Sequence, residues 1–397
     1  MKLTFEMVGL ARGGMAKRVL LVRGGSLGRN SGLGAAHHNL ADIIKSGAIE
    51  GWELVDECEY PLNRTSNPLS RIWNRWFSHP KRVSRTVQKL AESKNCDLVH
   101  VTDQEQAHLV PMQSKIPVVI TIHDLFHLSP ETVQLNDESI QIGEANPGYI
   151  RRRDLKKLRQ GINRANHLIC NSHHTLKAAK KNFPNADATY IPLGIDCQKY
   201  RVKGQNLTDI QLPKACNLLV VGSNDPRKRM KFLCKIIAEL PVEVRNDVHV
   251  HHVGNSGANS GIPAIEDLVK SHGLNNWTLH GSAVSDDYLM TLRHKCEALL
   301  FPSASEGFGY PPIESMAAGM KVICADLPSH NELMPEDSCI PADDVAAWVN
   351  AIIHIHEQYA SEEISNHPQA EMLEQAEKFD NSVFCQRLTD AYNSFIA

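Results

Sequence analysis

The sequence contains no apolar run approaching the roughly 20 residues of a membrane-crossing helix, so it offers no transmembrane segment of that kind. Its ten cysteines form no C-x-x-C pair and no Cys/His cluster at metal-ligand spacing. Most sit in apolar runs, such as Cys170 in HLICNS and Cys324 in KVICAD, and read as small buried hydrophobes. That usage points away from a disulfide framework and towards a reducing cytoplasm. Positive charge is not in excess: 42 Lys and Arg stand against 45 Asp and Glu, a net charge of −3, which gives no reason to expect nucleic acid as a partner. Short repeats and low-complexity tracts are absent. The opening residues, MKLTFEMVGLARGGMA, carry Glu6 and Arg12 among glycines and make a poor signal peptide. Met15 reads as an alternative start, with residues 1–14 a loose extension.

What is present fits two domains of ordinary size: 397 residues, 42% hydrophobic and 22% charged. Short β-branched or leucine-rich runs that end in glycine or polar residues alternate with helical stretches. The first series is RVLLVRGG, WELVDE, DLVHVT, PVVITIHD, HLICNS and ATYIPLGID. A polar stretch follows, QKYRVKGQNLTDIQLPK. The alternation then restarts with CNLLVVGSND, VHVHHVGNSG, WTLHGSA, ALLFPSASEG, KVICADLPS and SCIPADD. Continuous apolar strands alternating with helices predict parallel sheets covered on both faces. The expected architecture is α/β, with two Rossmann-like domains over residues 1–197 and 198–375 and a ligand cleft between them. Residues 376–397 are expected to form a terminal helix that packs back towards the first domain.

The stretch PSASEGFGYPPIESMAAGMKVICAD places Glu306 and Glu314 on either side of a Gly- and Pro-rich turn. ALLFPS reads as a buried strand, so Glu306 falls at its carboxyl end, where open α/β sheets bind ligands. Gly307 and Gly309 permit a tight reversal, and Pro311 and Pro312 suit a helix start. Glu314 then lies in the first turns of a short helix that Gly319 stops. Either both carboxylates meet in one cleft, or one is a loop acid and the other a helix-favoured acid, both solvated. In LLVVGSNDPRKRMKFL, Arg227 and Lys228 stand just past a strand end, a pairing of fork and point charge that suits a diphosphate, or else a solvated basic helix start. VVITIHDLFHL ends a strand at His123 and Asp124.

The segment SEGFGYPPIESMAAGMKVICAD resembles the E-x7-E signature of the retaining glycosyltransferases of family 4, the glycosyl transferases group 1, which have the two-domain GT-B fold. The resemblance runs over roughly residues 18–350 and is weaker in the first half. It implies an acceptor-binding first domain and a second domain that binds a nucleotide-sugar donor. It also implies that Glu306 contacts the donor sugar, that Glu314 binds the ribose, and that the amides of Gly307, Phe308 and Gly309 face sugar and phosphates. The family's VG…PRK pattern puts Arg227 and Lys228 on the diphosphate, although Ser223 stands where many members carry arginine. Resemblance further implies that His123 lies near the anomeric carbon, and that Gly32 and Gly34 of the loop RGGSLGRNSGLG approach the donor. Arg29 and His37 would face the acceptor, and Glu332 in LPSHNELMP the nucleotide side of the cleft. No cofactor and no obligatory metal are implied, and no D-x-D motif stands out.

The expected function is transfer of a hexose, with mannose from GDP-mannose as the leading choice and UDP-glucose as the alternative, to a hydroxyl of a glycan or lipid-linked acceptor in polysaccharide or glycolipid synthesis. A non-catalytic nucleotide-sugar-binding subunit and a sugar-nucleotide epimerase are the other readings; a phosphorylase would need a longer chain. Residues 64–89, RTSNPLSRIWNRWFSHPKRVSRTVQK, hold Trp73, Trp76 and Phe77 among basic residues and no acid. They fit either peripheral contact of a cytoplasmic protein with the inner membrane surface or a solvated helix with its aromatics packed inward.

Overall fold

A computed structural model describes residues 16–397 except 30, 62–66, 137, 202–206, 260 and 362–367. The Met15 start and the first three residues of the basic segment 64–89 lie outside the described residues. The first half contributes β1 (Lys17–Gly25), β2 (Trp52–Tyr60), β3 (Leu98–Val101), β4 (Val118–Ile122), a hairpin of β5 (Glu131–Leu135) and β6 (Glu138–Ile142), β7 (His167–Cys170) and β8 (Asp187–Tyr190). The second half contributes β9 (Cys216–Val221), β10 (Val248–Val253), β11 (Trp277–Gly281), β12 (Ala298–Phe301), β13 (Lys321–Asp326) and β14 (Ile340–Pro341). Two six-stranded sheets result, in the orders β2-β1-β3-β4-β7-β8 and β11-β10-β9-β12-β13-β14, with parallel neighbours throughout.

Period-two alternation explains why the strands read as unbroken apolar runs: successive residues feed opposite cores. In β1, Leu20 and Val22 join one buried cluster, while Val19 and Leu21 join the other. In β9, Leu218 and Val220 face one helical layer and Leu219 the opposite one. Each sheet is therefore sandwiched, and the polar loops at its carboxyl ends are left to build the cleft.

Two elements cross between the domains and tie them together. The last helix, Asn381–Phe395, packs its Phe384, Leu388 and Tyr392 with Val19, Leu21, Trp52 and Leu98 of the first sheet. The buried Tyr392 hydroxyl lies 2.6 Å from Nδ1 of His100. The hairpin β5–β6 leaves the first domain after β4 and buries Leu135, Ile140 and Ile142 in the core of the second. Its Glu138 pairs with Nε of Arg229 at 2.9 Å. This hairpin is absent from the strand series read off the sequence, because ETVQLNDESIQI is mostly polar and buries only one face.

Gly161, in the helix Tyr149–Ile162, allows that helix to lie directly on the segment Gln104–Leu109: a Cβ there would sit 1.8 Å from the carbonyl oxygen of Ala107. Gly161→Ala should destabilise the protein by about 1–3 kcal/mol, since overpacking against backbone outweighs the better helix propensity of alanine. Urea unfolding measures this, and equal or greater stability would contradict the close approach.

Candidate functional site

The site is assembled from strand ends. β12 finishes at Phe301, and the turn over residues 303–309 leads into the helix Tyr310–Ala317. Gly309 holds φ at +123°, and Gly319 ends the helix region with φ at +79°. Gly307 is required by a close approach across the cleft: a Cβ there would fall 2.3 Å from the carbonyl oxygen of His123. The tip of the second domain thus touches the end of β4 in the first.

Beside it, β9 ends in a short turn, Pro226–Lys228, started by Asp225, whose side chain accepts from the Arg227 amide at 3.1 Å. Arg229 adopts a left-handed conformation with φ at +55°, which separates this turn from the helix Met230–Glu239. The adjacent strands β9 and β12 bring Arg227 and Lys228 onto Glu306. Arg227 donates to Oε2 at 2.5 Å and to the Ser305 carbonyl at 3.2 Å, and Lys228 donates to Oε1. The Ala304 amide donates to the Arg227 carbonyl at 2.6 Å. Lys228 and Glu306 are each only 8% exposed, so Lys228 is no solvated helix-start cation. Burial pushes the Glu306 carboxyl up, but the fields of Lys228 and Arg227 overcome it and hold the group down at about 2. Burial also lowers the Lys228 ammonium, against the pull of Glu306. Two cations thus converge on one carboxylate at the cleft, and Asp225 stands 3.6 Å from the Arg227 Nε.

His123 is buried, and its backbone carbonyl meets the second domain at Gly307. Its Nε2 lies 3.1 Å from the Thr102 carbonyl, which can only accept, so Nε2 carries the proton and Nδ1 keeps its lone pair. Burial lowers its pKa, giving a neutral imidazole. Its amide donates to Oε1 of Gln104 at 2.9 Å. The carboxyl of Asp124 is pushed up to about 6 by burial, despite the Phe126 amide, His127 and Arg227.

Glu314 stands apart from Glu306. Its Oε1 accepts from the Tyr200 hydroxyl at 3.0 Å and its Oε2 from Arg293. Glu332 has its carboxylate on the amides of His173 and His174, at 2.6 and 2.9 Å, capping the helix His173–Asn182 from across the cleft. The Phe308 side chain is buried among Ile313, Met316 and Phe379. Gly34 sits where a Cβ would lie 2.0 Å from the Gly28 carbonyl, whereas Gly32 is exposed with open space around it. Arg29 pairs with Asp42 at 2.6 Å, and His37 is buried against Thr102 at 3.0 Å. Geometry therefore gathers Glu306, Gly307, Arg227, Lys228 and His123, and leaves Glu314 and Glu332 bound elsewhere.

Three residues at the site were not read from the sequence. Arg293 and Tyr200 hold Glu314 but lie in segments with no motif. His330 donates from Nδ1 to the Ala325 carbonyl at 3.0 Å and keeps a buried, unpartnered Nε2. Burial lowers it to about 4, although the nearby Glu306 raises it. Its signal was within LPSHNELMP, two positions before Glu332. Among the described residues no His, Cys, Asp and Glu group forms a metal-holding cluster, and no helix is long and apolar enough to cross a membrane.

Two family models match the chain, one per domain: Glycosyltransferase Family 4 over residues 51–199 and Glycosyl transferases group 1 over residues 215–358. The O-antigen chain mannosyltransferase RfbU of Salmonella typhimurium is 40% identical over 75 residues, 19% of this chain and 21% of that protein. O-antigen chain mannosyltransferase B of Escherichia coli is 26% identical over 159 residues, 40% of this chain and 38% of that protein. The serotype-specific mannosyltransferase WbdA of Escherichia coli is 30% identical over 165 residues, 40% of this chain and 19% of that protein. The matched part spans about a fifth to two-fifths of these relatives' length. Among solved structures, a sucrose-phosphate synthase from Thermosynechococcus elongatus aligns with a TM-score of 0.69 at 17% identity, over 95% of this chain and 98% of that one. Anabaena HepE in complex with UDP-glucose aligns with a TM-score of 0.66 at 16% identity, over 95% and 99%. The fold is GT-B.

Glu306→Gln should remove a stabilising charge whose folded pKa is depressed. That stability is present above the ordinary value near 4.5 and is lost as pH falls through about 2. The wild-type chain should be the more stable by on the order of 3 kcal/mol near neutrality, with the gap closing in acid. Urea melts at stepped pH test this; a gap that does not change down to about pH 2.5 would show that Glu306 is not held as a carboxylate.

Proposed function

Because this chain belongs to the family 4, group 1 glycosyltransferases, we propose that it transfers a hexose from a nucleotide-diphosphate sugar to a hydroxyl acceptor. The observation that carries this reading is the buried Glu306 bridging Arg227 and Lys228 at the mouth of the cleft, where the next residue, Gly307, meets the His123 carbonyl. The sugar is mannose, in keeping with the mannosyltransferases among the relatives, and the acceptor is a glycan or lipid-linked glycan in polysaccharide synthesis of the O-antigen kind. GDP-mannose is the leading donor.

Each residue then has a task set by its surroundings. Arg227 and Lys228 take the diphosphate, whose negative charge grows as the glycosidic bond breaks; preorganised cations in a low-dielectric cleft stabilise that change strongly. A dianion on these cations relaxes their hold on Glu306, freeing its carboxylate to accept hydrogen bonds from sugar hydroxyls. Glu306 is a poor covalent nucleophile while two cations engage its oxygens. His123, neutral, offers packing and a lone pair at Nδ1 rather than charge. The acceptor proton goes to the departing phosphate, and retention of configuration follows from attack on the same face. Glu314 positions the nucleotide through the Arg293 and Tyr200 network. Arg227 and Lys228 take the diphosphate contacts that a divalent ion would otherwise make, so chelation should not lower turnover.

Thermal unfolding against GDP-, UDP- and ADP-sugars identifies the donor, since a ligand of the folded state raises stability by mass action. Lys228→Ala should lower kcat by roughly 100- to 1,000-fold while the protein stays folded. Unchanged turnover would remove the diphosphate assignment, and donor binding without transfer to any acceptor would favour an inert subunit. Glu314→Ala should raise KM for the donor about tenfold or more with little change in kcat, the pattern of a lost uniform binding contact. A pure rate defect would contradict a nucleotide role.

A further inference from the structure

Most of the large exposed apolar side chains lie in one place. Among the described residues seven are exposed, and five of these, Leu69, Trp73, Phe77, Tyr149 and Ile150, belong to two helical segments packed on each other. Their exposures are 74%, 64%, 51%, 68% and 55%. The first segment is a continuous rod: the helix Pro68–Trp73, a π turn Asn74–Ser78, and the helix His79–Glu92. The rod is well anchored. Arg75 donates to both oxygens of Asp154 at 2.9 Å, and the Trp76 indole donates to Oδ1 at 2.9 Å. Lys157 lies over the rings of Trp76 and Phe77, at 4.8 and 5.1 Å. Trp76 is thus the aromatic that packs inward, and Trp73 and Phe77, with ring centroids 4.9 Å apart, are left outside.

Every fourth residue along the rod is exposed: Leu69, Trp73, Phe77, Lys81, Arg85 and Lys89. A four-residue step drifts by about 40° in an α-helix, and the wider π turn takes part of that drift back, so the six form one stripe. Its first half is apolar and its second half basic. Arg71, Arg152 and Lys156 are also exposed nearby, and none of these six cations has a carboxylate partner among the described residues. The neighbouring acids are already engaged: Asp154 by Arg75 and Arg151, Glu105 by Arg151 at 3.0 Å, and the exposed Glu144 at 3.8 Å from Arg151.

We propose that this face docks onto an anionic bilayer surface, with Leu69, Trp73, Phe77 and Ile150 at the headgroup–acyl boundary and the flanking lysines and arginines on lipid phosphates. Apolar side chains more than half exposed, ringed by unpaired cations, match the charge and polarity profile of that boundary. An anionic glycan in water could stack on the two rings, but it offers nothing to the aliphatic Leu69 and Ile150. Docking here also sets the cleft in register with the surface. Arg75 donates to the Glu105 carbonyl at 2.9 Å, and the preceding residue, Gln104, holds the His123 amide. The docked rod therefore backs directly onto the segment that fixes His123, and the proposal needs no assumption about the transferred sugar.

Co-sedimentation of the intact chain with phosphatidylcholine vesicles, with and without about one-third phosphatidylglycerol, tests it. The expected result is binding to the anionic vesicles at low salt, weakening as salt rises, and little binding to the neutral ones. Trp73→Ser with Phe77→Ser should weaken partitioning by roughly tenfold or more without lowering the unfolding temperature, both side chains being exposed. Lys81→Gln with Arg85→Gln and Lys89→Gln should weaken it by roughly tenfold to a hundredfold and flatten the salt dependence. No binding to anionic vesicles at low salt overturns the proposal, as does wild-type binding by both variants. Retention on a soluble polyanionic glycan with vesicles ignored would assign the face to that ligand instead.

Discussion

A carboxylate buried to 8% exposure between two cations is the interaction on which the cleft depends. Removing Glu306, Arg227 and Lys228 from water carries a desolvation penalty of several kcal/mol per ion, and only mutual pairing offsets it. Loss of one member leaves an uncompensated buried charge. The pairing also has a structural demand, since Lys228 and Glu306 are 78 positions apart. They meet because β9 and β12 are neighbours in the second sheet and both strands end on the same side. Sheet topology, rather than proximity in sequence, builds the site, as expected for ligands at the carboxyl edge of an open α/β sheet.

The two motif acids, eight positions apart, do different things. Glu306 turns towards the cations and the first domain. Glu314, one helix later, turns to Tyr200 and Arg293, both buried. Tyr200 belongs to the short helix Cys197–Arg201, where the chain leaves the first domain, so Glu314 anchors the crossing as well as facing the cleft. Glu314 gathers one full positive charge and a hydroxyl, whereas the Glu306 turn gathers two cations, Arg227 being shared with Asp225 at 3.6 Å. That difference is why an anionic ligand is assigned to the Glu306 side.

Twelve strand runs read from the sequence correspond to the twelve strands of the two sheets; burial on both faces makes the central strands continuous apolar words, while edge strands such as β2 and β8 are only partly buried. The turn around Glu306 was legible for a related reason: glycines and prolines punctuate it locally. What was not legible has no local mark. Glu332 caps a helix of the other domain through contacts 158 and 159 positions away. Arg293 is one basic residue among several in TLRHK until the fold buries it. The inward turn of Trp76 and outward turn of Trp73 depend on Asp154, in a helix that follows much later. The hairpin escaped because its buried residues, Leu135, Ile140 and Ile142, are packed by a domain that the chain has not yet reached.

That hairpin also limits how the cleft can open. It begins seven residues after Asp124, and its Glu138 grips Arg229, the residue after Lys228. Withdrawing Leu135, Ile140 and Ile142 from the second core would cost about 1.5–3 kcal/mol for each side chain, far more than domain opening normally demands. The hairpin therefore travels with the second domain. The preceding turn straddles the boundary, with Leu125 and Leu128 in the first core and Phe126 against the second. Movement between domains must then be absorbed at this turn and at the return segment after Gly143, whose missing side chain makes room for the Phe126 carbonyl. Because His123 and Asp124 immediately precede that turn, any opening of the cleft pulls on the residues that line it, and the geometry at His123 is coupled to the position of Lys228 through fewer than twenty residues of chain, about the span of one hairpin with its two connections.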